Sequence, residues 1–235
     1  MIEIKFFVGQ LMPYFTALVF LIGITYKVSK WIKAPQGKIT LYPASSTQIE
    51  KWKRIAKEVL VFQGLFEGNK PLWFGTWIFH ASLALIIIGH FRVVTDFPLI
   101  WSALGMGKED IDTISAVLGG GAGIIILIMG VYLLFRRLTV EKVKEISDGE
   151  DYFTLFLILA IIITGDIMRF ITHFDLTLSR EYFSALFTFQ KATLPADQVF
   201  LLHYFLGQVL IIYIPFSKFL HIPGVFLSKS IIYQE

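Results

Sequence analysis

Long unbroken apolar stretches alternate with shorter polar ones along the chain. Five of the apolar stretches approach the roughly 20 residues that a helix needs to cross about 30 Å of hydrocarbon. They cover residues 9–30, 72–95, 115–136, 152–172 and 198–217. The pattern predicts an all-α integral membrane protein, a five-transmembrane-helix bundle forming a single membrane domain over residues 1–235. The leading MIEIK lacks a basic excess and no small-residue cleavage site follows it. The first stretch is therefore expected to be a retained anchor rather than a signal peptide.

Two connections carry patterns of their own. Within the long segment 34–71, TQIEKWKRIAKEVLVFQGLF (47–66) sets Ile49, Trp52, Ile55, Val59 and Phe66 on one face. Lys51, Lys53, Arg54 and Lys57 fall largely elsewhere, which predicts an amphipathic helix at the membrane surface. Such a helix either lies on the headgroups or offers a docking face to a cytoplasmic partner. The aromatic and charged segment 173–197 is expected to cap the outer end of the bundle.

Charge orients the chain. The segments 27–71, 136–151 and 216–235 hold 15 of the 21 Lys and Arg residues. By the positive-inside rule the N-terminus is expected outside and the C-terminus in the cytoplasm, in a multi-pass protein of the cell membrane. Composition agrees: mean hydropathy is +0.68 and 17% of residues are charged, against about 25% in soluble proteins. The net charge of +3 follows from this topology and gives no support to nucleic-acid binding. The absence of cysteine excludes disulfides, thiolate-held iron–sulfur clusters and covalently attached c-type haem in this chain.

Histidine supplies the candidate chemistry. Ionisable groups inside a bilayer are rare and functional by default, yet His80 and His90 share the second span, and His203 and His221 bracket the fifth. The second span runs outward and the fifth inward. Two pairs then match by depth, His90 with His203 outside and His80 with His221 inside. The ten-residue step rises about 15 Å and the 18-residue step about 27 Å over five whole turns, so tilt or a bend near Pro215 and Pro223 must absorb the difference. Two neutral imidazoles facing one another can bind a haem iron axially, and Gly75, Ala81, Ser82, Ala84, Gly89 and Gly207 leave room for such a plate. Four separately hydrogen-bonded histidines, or a proton or metal-ion pathway, are the alternatives; no carboxylate lies at a span centre to favour the second.

These residues, with PYFTALVFLIG, YPASS, FHASLALIIIGHF, GGGAG through FRRL, and LHYFLGQ through PFSKFLH, give a chain that resembles the gamma subunit of respiratory nitrate reductase. That family is a five-helix di-haem cytochrome b exchanging electrons with quinone. The resemblance spans nearly the whole chain and implies two haem b groups, one on His80 and His221, the other on His90 and His203. It further implies a membrane quinol, menaquinol by expectation, and a cytoplasmic iron–sulfur partner subunit. The expected activity is quinol-oxidising or quinone-reducing, within a respiratory complex; a non-redox membrane anchor or transporter is the alternative. The family's lysine before the third span is missing, and EDIDTI stands there with Asp110 and Asp112. RVVTDFP and GDIMRFITHFDL are closer to the branch serving heterodisulfide-reductase-like and sulfite-reduction-associated complexes. Near the outer end, Arg92 and Arg169 are candidates for the haem propionates, since a guanidinium matches a carboxylate in bidentate fashion. Asp166 and His173 are candidates for accepting quinol protons, with Asp166 and Arg169 also spaced for an ion pair. GGGAG (119–123) lies inside an apolar span and is expected to serve close helix packing.

Overall fold

A backbone surrounded by hydrocarbon must close its own hydrogen bonds, and a helix does this within one segment. The computed structural model describes residues 2–34 and 47–232, and every regular element among them is helical. In chain order they are α1 (Ile4–Lys33), α2 (Gln48–Leu60), α3 (Gln63–Gly68), α4 (Lys70–Val93), α5 (Pro98–Ala103), α6 (Lys108–Thr139), α7 (Glu141–Glu145), α8 (Gly149–Phe170), α9 (Leu176–Phe187), α10 (Gln198–Phe216) and α11 (His221–Ile232). Five of these, α1, α4, α6, α8 and α10, are long and apolar enough to cross a membrane. All five coincide with the expected stretches. The YPASS motif falls outside the described residues.

Two local departures and one expected bend have physical causes. α6 begins seven residues before the expected third span, because the Asp110 carboxylate accepts from the Gly107 N–H at 2.8 Å and closes the helix start. The expected helix over 47–66 divides at Phe62, whose φ of 52° is left-handed. Thr47 caps its start by accepting from Glu50 N–H, and of its five apolar-face residues only Ile55 is buried. The fifth span also does not run on to His221. Pro215 sits in a 3₁₀ turn, Ser217 is extended, and a second 3₁₀ turn (Lys218–Leu220) leads into α11. Proline has no N–H to continue the ladder, so the five-turn alignment of His203 with His221 does not hold along one continuous helix.

The chain forms two compact units, Met1–Phe15 with Ile78–Leu210, and Thr16–Trp77 with Ile211–Glu235. In the first, α6 packs on α8 through small residues. A Cβ on Gly130 would lie 2.9 Å from Leu159, and one on Gly120 would lie 3.3 Å from Phe170. Gly120 and Gly123 of GGGAG thus serve helix contact, whereas Gly119 and Gly121 face open space. Tyr182, Leu186, Ala192 and Phe200, from the 173–197 segment and α10, form one buried cluster. Phe174 stacks on Phe200 at 4.7 Å and 3°. α1 carries a π-helical turn at Phe7–Leu11, which frees carbonyls from the usual ladder. Tyr182 Oη donates to Gly9 O at 2.5 Å and Gln208 Nε2 to Val8 O at 3.1 Å.

In the second unit, Gly23 admits the proline corner: a Cβ there would stand 2.5 Å from Pro215 Cβ. The Glu58–Lys229 ion pair (3.7 Å) joins α2 to α11. The indole N–H groups of Trp73 and Trp77 donate to the Val61 and Leu60 carbonyls at 2.7 and 2.8 Å, where α2 ends.

Candidate functional site

His90 ends the α-helical part of α4 and His203 lies one turn into α10. Their rings face each other with centroids 6.2 Å apart and planes 14° from parallel. Each ring is oriented through Nδ1. His90 Nδ1 lies 2.7 Å from Ile86 O, and His203 Nδ1 lies 3.1 Å from Ile161 O and 3.0 Å from Thr164 Oγ1. A proton on Nδ1 satisfies these acceptors and leaves Nε2 bare, the tautomer a metal-binding histidine requires. Gly165 makes this placement possible, since a Cβ there would come within 3.3 Å of His203 Cε1. Sequence reading found neither Thr164 nor Gly165.

The pair fits a shared iron. A metal–imidazole bond is about 2 Å and the ring centroid lies roughly 1 Å behind the bonding nitrogen, so axial imidazoles on one iron stand roughly 6 Å apart. Small residues support the fit: a Cβ on Gly89 or Gly207 would meet nothing within 4 Å. His80 is half-buried in α4, edge-on to Phe79 at 5.6 Å. His221 opens α11, exposed, with Nδ1 3.1 Å from Lys218 O.

The charges at the His90 end of the helices divide into two groups. Arg92 Nε and Nη2 reach Asp96 and Asp112, each at 2.7 Å. Arg180 pairs with Asp96 at 2.5 Å and donates from Nε to Arg92 O at 2.8 Å. Two arginines and two aspartates thus form a cluster of zero net charge just beyond His90. Burial alone would raise the Asp96 carboxyl, but the bonds from Arg180 and Arg92 outweigh it and hold Asp96 below the ordinary 3.8. Two of the five N–H groups of Arg92 are thus taken by carboxylates. Arg92 and Asp96 carry the i, i+4 spacing of a helical pair; Asp112 and Arg180 carry no local signal.

Arg169 stands apart. Its Nη2 donates to Ser115 O at 2.9 Å, a carbonyl in the π-helical turn Ser115–Gly119 of α6. Among the described residues it makes no ion pair with Asp166, whose carboxylate instead packs against Gly123. An open cavity of about 360 Å³ is lined by Ala116, Met168, Arg169, His173 and Phe174. His173 is exposed and left-handed at φ 49°, where α8 has ended. The structure therefore brings Arg169 and His173 to one cavity and leaves Asp166 outside its lining.

The chain has relatives among known proteins. The chain is 26% identical to the Hdr-like menaquinol oxidoreductase cytochrome b-like subunit of Archaeoglobus fulgidus, over 94% of this chain and 78% of that one. It is also 26% identical to the respiratory nitrate reductase 1 gamma chain of Escherichia coli, over 94% and 92%. The nitrate reductase gamma chain of Bacillus subtilis matches at 25%, over 71% and 80%. The family model described as nitrate reductase gamma subunit matches residues 63–234. A match over more than half its length, together with five candidate membrane spans, places this chain in the nitrate reductase gamma subunit family.

Proposed function

We propose that the chain is the membrane cytochrome b of a quinol-oxidising complex, holding two b-type haems and linking membrane menaquinol to a cytoplasmic iron–sulfur subunit. The observation that carries this reading is the His90–His203 pair, facing at 6.2 Å with both Nδ1 atoms committed to backbone carbonyls. Menaquinol comes from the name of the Archaeoglobus relatives. When bound, haem supplies one-electron transfer, and the protein sets its potential through ligands, burial and nearby charge.

His90 and His203 would hold the outer haem, and His80 and His221 the inner one. Arg169, without an ion pair among the described residues, stands beside the 360 Å³ cavity, where it would serve a propionate or the quinol head group. A quinol gives up two protons with its two electrons. The His173 imidazole at that cavity accepts one, and the Asp166 carboxylate is the second acceptor. With the N-terminus outside, both protons leave on the outer face. Reduced spectra and haem extraction test the reading. Two b-type haems per chain, both released by acidified organic solvent, are expected. One haem, none, or haem retained after extraction would overturn it.

A further inference from the structure

Only one side of α2 is used inside its own unit. Ile55, 1% exposed, and Glu58, paired with Lys229, mark the packed side. Ile49, Trp52, Ala56 and Leu60 form a stripe at helical spacing beside the Ile55 side and turned away from Glu58, with Ile49, Trp52 and Leu60 70%, 55% and 69% exposed. Exposed Lys53 and Lys57, one turn apart, border this stripe. Among the described residues neither makes an ion pair, whereas Arg54 is tied to Glu50 at 2.7 Å.

Depth decides what covers the stripe. The Leu60 and Val61 carbonyls at the end of α2 are held by Trp77 and Trp73, in the first turns of membrane span α4. Indoles at a span end sit at the boundary between headgroups and hydrocarbon. The apolar stripe is tethered to that level. A protein partner is the other possible cover, but lysine is depleted at protein interfaces, whereas basic residues beside an apolar face suit an anionic lipid surface.

We propose that α2 is an in-plane membrane helix that binds anionic phospholipid headgroups through Lys53 and Lys57, with Ile49, Trp52 and Leu60 seated among the acyl chains. The inference rests on the chain spanning a membrane and on nothing about its haems.

The sequence contains no cysteine, so Ala56→Cys in the full chain gives one site for a nitroxide. The labelled protein is reconstituted in phosphatidylcholine alone and in mixtures with increasing phosphatidylglycerol. Accessibility to oxygen and to a water-soluble nickel complex then reports the depth of the label. Phosphatidylglycerol is expected to draw the label below the phosphates. Lys53→Gln and Lys57→Gln should each weaken the phosphatidylglycerol response roughly fivefold, the effect of one basic residue near an anionic surface. A label in water in every mixture overturns the proposal. So does immersion that ignores both phosphatidylglycerol and the lysines. A label shielded only after addition of co-purifying subunits assigns the stripe to a protein partner and likewise overturns it.

Discussion

At the scale of single residues, the ligand ring is controlled by neighbours with no chemistry of their own. Gly165 is one. With a Cβ 3.3 Å from His203 Cε1, Gly165→Ala must shift the imidazole by a few tenths of an ångström. The outer-haem component should shift or disappear in a redox titration monitored by visible spectra, while the inner component is unchanged. Loss of both components would mean that the substitution disturbs the helix pair and not the ligand alone. Thr164→Val is milder, because His203 Nδ1 keeps Ile161 O at 3.1 Å. Losing an outer partner of a metal ligand costs roughly 10–100-fold in affinity, and the lower end is expected here. The histidines themselves were legible in the sequence because an imidazole stands out in an apolar span. Thr164 was not, since it lies 39 residues from His203 and only the fold joins them.

At the scale of elements, polar side chains clamp the helix ends beside His90. The cluster of Arg92, Asp96, Asp112 and Arg180 ties the end of α4 to α6 and α9. Asp96→Asn removes the charge shared by both arginines. Bonds to charged groups contribute about 1.5–3 kcal/mol, and partial exposure discounts this, so a loss of about 1–2 kcal/mol is expected in thermal unfolding at neutral pH. The sign of the pH dependence follows from the depressed carboxyl. Folding favours ionised Asp96, so its contribution is complete above the ordinary carboxylate range and is lost as pH falls through a value below 3.8. The wild-type advantage over Asp96→Asn should therefore vanish in that acid range; an advantage that persists there would place the stabilisation elsewhere. Tyr182 works the opposite way. Burial pushes its phenol up to about 12, so its contribution holds below pH 10 and fades as pH rises toward 12. The five spans were readable from apolar run length alone. The bend at Pro215 was readable from the proline, but the π turns were not, because they depend on which neighbours take the freed carbonyls.

At the scale of the whole molecule, the proposed route for electrons has a proton end, and charge there should set both rate and potential. Asp112 did not figure in the sequence reading except as the place of a missing lysine, yet it neutralises Arg92 at 2.7 Å. Removing either member unbalances the cluster in opposite senses. Arg92→Gln leaves an extra negative charge near His90 and should lower the outer haem's potential, since a nearby anion disfavours the reduced state. Asp112→Asn leaves an extra positive charge and should raise it. A unit charge about 10 Å away at an effective dielectric near 20 corresponds to several tens of millivolts, well within the reach of a redox titration. His173 lies on the 360 Å³ cavity, with Arg169, and carries no part of this balance. His173→Ala should thus leave both potentials in place while slowing haem reduction by menaquinol in stopped-flow mixing, because a proton acceptor is lost and no ligand is. Arg169→Gln should do both, lowering the outer potential and slowing reduction. If His173→Ala and Arg169→Gln reduce at the wild-type rate, quinol is oxidised away from this cavity, and the assignment of the outer end as the proton-releasing site fails with it.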